Sequence, residues 1–140
     1  MTIDSRDRPE IEDLAARYIQ AIDLGDPVGC VACFLPDGEF EIAEVGARTA
    51  ARLQLAPGRW RGKAELNLFA RTVAGVLSCR HWSYNRVLTP AGDGLDSVSY
   101  MNVYYLDFPP GDQLITGIMQ DHLVRVDVGW RFASRRITFD

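Results

Sequence analysis

Apolar residues recur at helical spacing from about Arg8 to Leu24. Ile11, Leu14, Ala15, Tyr18, Ile19 and Ile22 form one stripe, and Glu12, Asp13, Arg17 and Gln20 fall outside it. Pro9 is tolerated in a first helical turn, and Gly25 is a natural residue just past the helix end. Asp26 followed by Pro27 predicts a cap and a second short helix to about Phe34. Leu35-Pro36-Asp37-Gly38 reads as a turn, and Glu39 to Val45 alternates as a strand does. Gly46 to Gly58 is expected to be a loop with some irregular helix. A third helix follows Gly62 and buries Leu66, Phe69, Ala70 and Val73.

After Ser78 the period changes from helical to two. Strands are predicted at Cys79–Thr89, Asp96–Phe108, Leu114–Val126 and Trp130–Phe139, separated by Pro90–Gly94, Pro109–Asp112 and Asp127–Gly129. Short connections between successive strands imply an antiparallel meander, and strands of this length twist and curl. Helices first and strands last is the order of an α+β domain, not of alternating βαβ units. The fold expected is a single domain over residues 1–140: a cone-shaped, curved, mainly antiparallel mixed sheet wrapped around N-terminal helices and enclosing a pocket. Residues 1–7 are expected to form a flexible N-terminal segment.

Composition narrows the function classes. The chain has 140 residues and a net charge of −4, with arginines scattered and no basic stripe, which argues against nucleic acid. No apolar run approaches the roughly 18 residues of a membrane span. The polar start Met1-Thr2-Ile3-Asp4-Ser5-Arg6 lacks the apolar core of a signal peptide, so the cytoplasm is expected. Cys30 and Cys33 form a lone C-x-x-C inside an apolar helical stretch and read as packed thiols; no metal-ligand spacing accompanies them.

Three residues stand out chemically. Asp23 lies in the last turn of the first helix, where the helix dipole disfavours a carboxylate; taken alone it reads as a solvated helix-end aspartate. His81 begins the first long strand. Alternation places it with Ser83, Asn85 and Val87 on one face, and places Trp82, Tyr84, Arg86 and Leu88 on the other. A histidine on a concave face suits a general base, and an edge histidine bonded to backbone is the equal alternative. His122 has no evident partner and reads as structural. Arg135 and Arg136 point opposite ways, so one faces inward and needs a carboxylate or a substrate oxygen. By the same alternation Phe132 falls on the face opposite Arg135.

Five segments in order, Leu14–Asp26, Phe34–Phe40, Gly62-Lys63-Ala64, Arg80–Asn85 and Gly129–Arg136, give the chain a resemblance to the SnoaL-like branch of the nuclear-transport-factor-2-like superfamily. That branch is similar in its enzymes to scytalone dehydratase, bile-acid 7α-dehydratase, hexachlorocyclohexane dehydrochlorinase and polyketide cyclases. The resemblance implies catalytic roles for Asp23 and His81, with Tyr18 and Arg135 assisting, and pocket positions for Phe40, Tyr100, Asn102 and Met119. It implies no metal and no cofactor. The activity implied is a dehydratase-type lyase or a proton-shift isomerase acting on a small, largely apolar, aromatic or polycyclic hydroxylated substrate. The alternative is a non-catalytic ligand-binding or assembly module of the same fold. Relatives pair through the convex sheet face, so a homodimer or homo-oligomer is expected, with Trp82, Tyr84 or Phe132 exposed there.

Overall fold

The computed structural model describes residues 2–140. Helix α1 (Asp7–Leu24) is followed by α2 (Pro27–Ala32), β1 (Phe34–Val45), α3 (Ala47–Leu53), β2 (Gly58–Arg61) and α4 (Gly62–Val73). The four long strands β3 (Cys79–Ala91), β4 (Gly94–Tyr105), β5 (Leu114–Val126) and β6 (Gly129–Phe139) complete the chain. All six strands form one curled sheet in the order β2-β1-β6-β5-β4-β3. The meander β3 to β6 is antiparallel, whereas β1 lies parallel to β6, which makes the sheet mixed.

Helix α1 buries the stripe its periodicity announces. Ile11, Leu14, Ala15, Tyr18, Ala21 and Ile22 are all buried. Gly25 takes the left-handed conformation at its C-terminus, and the Asp26 carboxylate accepts the Gly29 N–H at the start of α2. The N-terminal boundary differs from expectation. Asp7 belongs to α1 and is buried, because it accepts bonds from Arg125 and the Trp130 indole. Met1 lies outside the described residues.

Bulges in three strands decide which side chains face inward, and simple alternation does not foresee them. In β3, Asn85 has φ 55° and the register skips between Tyr84 and Val87, so two residues oppose one on β4. The skip turns Arg86 and Leu88 onto the concave side with His81, correcting the expectation that they face outward. In β6 the extra residue Ala133 brings Phe132 and Arg135 to the same, inner side. Phe132 is therefore fully buried and does not belong to the convex surface. In β1, Leu35 to Gly38 does not end the chain's path as a turn; it bulges within a continuous strand. The convex face does expose Trp82 and Tyr84, along with Tyr100. No helix among the described residues is long and apolar enough to cross a membrane.

Candidate active site

The concave face of the sheet, α1 and α4 enclose a cavity of about 320 Å³, walled mainly by Phe40, Ile42, Phe69, Met101, Met119 and Ile137. Phe40 and Phe69 stack with centroids 4.2 Å apart, so one wall is a flat aromatic surface. The polar groups on the lining are few: Tyr18, Gln54, Thr72, Cys79, His81 and Tyr105.

Asp23, in the last turn of α1, meets His81 on β3 behind this wall; the two residues line a neighbouring cleft together, and His81 alone of them also lines the cavity. Its Oδ1 lies 2.5 Å from His81 Nδ1, and its Oδ2 accepts the His81 backbone N–H at 3.0 Å. The Cys79 thiol adds a weaker bond to Oδ1 at 3.7 Å. Burial pushes the Asp23 carboxyl up, but the bonds from the His81 ring and backbone outweigh it and hold the group below the usual carboxylate range. An ionised Asp23 accepts from Nδ1–H, so in the neutral form of the ring the lone pair is on Nε2. The helix end that disfavours a carboxylate is thus compensated by donors from a strand 58 residues away.

Burial and the neighbouring Asp23 charge push the Cys79 thiol up to about 12, so it is a donor here and not a thiolate. Cys30 is likewise raised to about 12 by burial and packs in the core, as its apolar setting implied.

Tyr18 is buried and lines the cavity, with the Arg135 guanidinium 4.4 Å from its ring centre. Arg135 itself lies behind the wall. Asp121 binds it through two bonds of 2.8 and 2.9 Å, so the interior carboxylate supplies the partner and the guanidinium is not presented to the cavity. Phe40 and Met119 are on the lining as expected. Tyr100 and Asn102 are not: their strand positions face the convex side, where Tyr100 meets Tyr84 edge-on and Asn102 accepts the Tyr84 hydroxyl. The inward residues of β4 are Met101, Val103 and Tyr105.

Tyr105 is a lining residue that the sequence analysis did not name. It pairs with Cys79 across β3 and β4, stacks on Phe108 at 4.7 Å, and has its phenol pushed up by burial, so it stays protonated. Tyr18 and Tyr105 both line the cavity, and neither hydroxyl has a protein hydrogen-bond partner among the described residues. Cys79 carried a readable signal, since it precedes His81 by two and shares its strand face. His122 has partners after all: Asp96 at 2.7 Å and Asp93 at 3.0 Å, on the surface.

Comparisons with known proteins agree with this architecture. No curated protein matches the chain. Among solved structures, a variant of Rv3472, a protein of unknown function from Mycobacterium tuberculosis, is 26% identical with a TM-score of 0.78, covering 98% of this chain and 78% of that one. LinA is 21% identical with a TM-score of 0.72, covering 95% and 85%. A candidate scytalone dehydratase from Novosphingobium aromaticivorans is 19% identical with a TM-score of 0.68, covering 95% and 83%. These likenesses establish the cone-shaped fold. Residues 4–136 match the SnoaL-like domain, so the chain belongs to the SnoaL-like family.

Proposed function

We propose that this protein is a dehydratase-type lyase, or a proton-shift isomerase, for a small, largely apolar hydroxylated substrate with aromatic or fused rings. The observation that carries this reading is the Asp23–His81 contact, with His81 on the lining of a largely apolar cavity. At about 320 Å³ the cavity lies at the low end of the about 300–1,000 Å³ usual for ligand pockets, and its flat aromatic wall favours a planar molecule.

In this reading His81 Nε2 removes a proton from a carbon next to a carbonyl or an aromatic ring. Asp23 holds the tautomer and stabilises the imidazolium that forms. General-base action is worth about 10²–10⁴-fold. Tyr18 and Tyr105 donate their free hydroxyls to the oxygens that gain charge, a role worth about 10²–10³-fold per well-placed donor. In elimination the carbon–oxygen bond then breaks, and the leaving hydroxide departs as water after taking the proton that His81 removed, which returns the imidazole to its neutral form. In isomerisation the proton returns from His81 to another carbon. The side chains present supply both acid and base, so the step as written calls for no cofactor. Arg135 contributes from behind, by holding the Tyr18 ring.

The test is hydrogen–deuterium exchange and elimination by NMR, with bicyclic hydroxy ketones in D₂O. The wild type is expected to exchange the carbon-bound hydrogen, and His81→Ala and Asp23→Asn to slow it at least about a hundredfold. Full exchange by His81→Ala overturns the assignment. Tight binding with no exchange by the wild type would make the protein a binding module instead.

A further inference from the structure

Cys79 has no part in the reaction proposed above, yet it touches both residues that do. Its Sγ lies 3.7 Å from Asp23 Oδ1 and 4.0 Å from His81 Nδ1, and the three atoms all fall within 4.8 Å of one another. A thiol, an imidazole nitrogen and a carboxylate oxygen are together a ligand set that zinc favours. Two of the three come from one face of β3 and the third from the end of α1, so packed secondary structure holds their backbones in place without an ion.

The distances are close to what an ion needs. Bonds of about 2.3 Å to sulfur and about 2.0–2.1 Å to nitrogen and oxygen place tetrahedral ligand atoms roughly 3.3–3.6 Å apart. The two sulfur separations must close by a few tenths of an ångström. The Asp23–His81 separation must open from 2.5 Å by about 0.8 Å or more, which requires the Asp23 carboxylate to turn. Cys79 and His81 both line the cavity, so a fourth coordination position would face it. This is the three-ligand, one-open arrangement of an accessible zinc site.

We propose that Asp23, Cys79 and His81 form a binding site for zinc or a similarly thiophilic divalent cation, and that its occupation shuts off His81 as a base. The site rests on geometry alone; the shut-off rests on the function proposed above. The chemistry of the shut-off is a change of tautomer. Without the ion, Nδ1 carries the ring proton and Nε2 the lone pair. The ion takes the Nδ1 lone pair, so the ring proton must sit on Nε2, and the nitrogen facing the substrate can no longer accept one. The Cys79 thiol gives its proton to solvent as the sulfur–metal bond forms, one proton per ion.

The experiment titrates the full chain with cobalt(II) as the spectroscopic probe and zinc as its competitor. Expected are a near-ultraviolet thiolate-to-cobalt band and the visible bands of a four-coordinate ion, all erased by zinc. Cys79→Ser should lose the thiolate band and bind cobalt at least about tenfold more weakly, since even outer-shell partners of metal sites are worth about 10–100-fold. The Cys30→Ser, Cys33→Ser double variant should keep the band. Nitrogen-15 NMR of the histidine rings should show zinc converting His81 to the Nε2–H tautomer. Absence of the band with cobalt in large excess, or its survival in Cys79→Ser, overturns the site. If Cys79→Ser does not fold, Asp23→Asn must weaken cobalt binding similarly, and unchanged binding overturns the site. A cobalt band in a protein that turns over no substrate supports the site while sinking the proposed activity; turnover untouched by bound zinc overturns the shut-off.

Discussion

Asp121 is one anion between two buried cations, and its removal should cost more than the removal of either. Its oxygens hold Arg135 at 2.8 and 2.9 Å and stand 3.7 Å from Arg86 Nη1, and the three side chains are between 0 and 1% exposed. The second acid on Arg86 is Glu12, whose side chain is 44% exposed and partly screened by water. Asp121→Asn keeps the shape but leaves two guanidinium charges facing one neutral amide. Breaking a buried ion pair from one side costs about 3–5 kcal/mol, and the upper part of that range applies when two cations lose the same partner. Arg135→Met removes two hydrogen bonds and the stacking on Tyr18 and Phe132, but leaves Asp121 paired with Arg86 one to one. It also abolishes Arg135 Nη1, a buried donor with no partner among the described residues. Its cost should be smaller, about 2–3 kcal/mol. Urea unfolding followed by tryptophan fluorescence and circular dichroism measures both, provided the two variants keep the wild-type denaturant slope. A larger loss for Arg135→Met than for Asp121→Asn would refute the reasoning, because it would mean the interior does not need Asp121 to balance both cations.

Tyr105→Phe removes a hydroxyl that no protein group uses, so its unfolding midpoint should stay within about 0.5 kcal/mol of wild type. Turnover in the same variant should fall about 10²–10³-fold if that hydroxyl serves the substrate. His122 is raised above its usual value of 6.5, first by its bond to Asp96 and then by Asp93, so its charged form is favoured in the folded protein. Its stabilising contribution is complete below the unfolded value and vanishes as pH rises through the folded one. His122→Gln should therefore lose stability at pH near 5 and match wild type near 9 in paired denaturation curves. At Gly94 an added Cβ would stand 1.8 Å from the Leu123 carbonyl oxygen, so Gly94→Ala must push β4 from β5 and should lower stability by at least about 1–3 kcal/mol in the same assay.

Helices α1 and α4 and the four long strands were legible because each is dominated by one period, whereas the short α3 and β2 fall in or beside the stretch expected to be a loop, being too brief to show a period. The Ile11–Ile22 stripe, the Gly25 stop and the Asp26 cap read as the structure has them. The Asp23–His81 contact was legible only through resemblance, since no local rule joins residues 58 positions apart. What alternation misread were the positions beyond a bulge. A strand face is a parity, and one inserted residue reverses it for everything that follows. Asn85 is a residue type that tolerates a positive φ, so the β3 bulge had a weak signal. Ala133 in β6 had none, and Phe132 was assigned to the wrong face for that reason. The placing of Tyr100 and Asn102 in the pocket failed differently. Both were drawn from a polar strand whose outward residues are equally polar and aromatic, so nothing in their types distinguishes the faces.

The same bulges divide the interior polar groups into two sets with different work. Turning Arg86 and Arg135 inward joins them to Asp121 and to Ser97, whose hydroxyl accepts from Arg86 at 2.6 Å. That set is almost wholly satisfied by its own members, ties α1 to the sheet through Glu12, and does not open on the cavity. The other set is left with capacity: His81 has a free Nε2, and Tyr18 and Tyr105 have free hydroxyls, all on the lining. A polar group inside a protein is normally paired because leaving it unpaired is costly. Under the proposed function, these three groups on the cavity lining are the ones left to meet a ligand. The buried ion network makes this arrangement rigid, since Arg135 packs under the ring of Tyr18 and fixes where its hydroxyl stands. Arg135 accordingly belongs to the support of the site, and a test of its role should separate the two. Arg135→Met should raise KM and lower kcat together through a displaced Tyr18, whereas Tyr18→Phe should lower kcat with the fold intact. If Arg135→Met lowered activity further when combined with Tyr18→Phe, by the full factor of each, the arginine would act independently of the tyrosine and the division between supporting and reacting groups would fail.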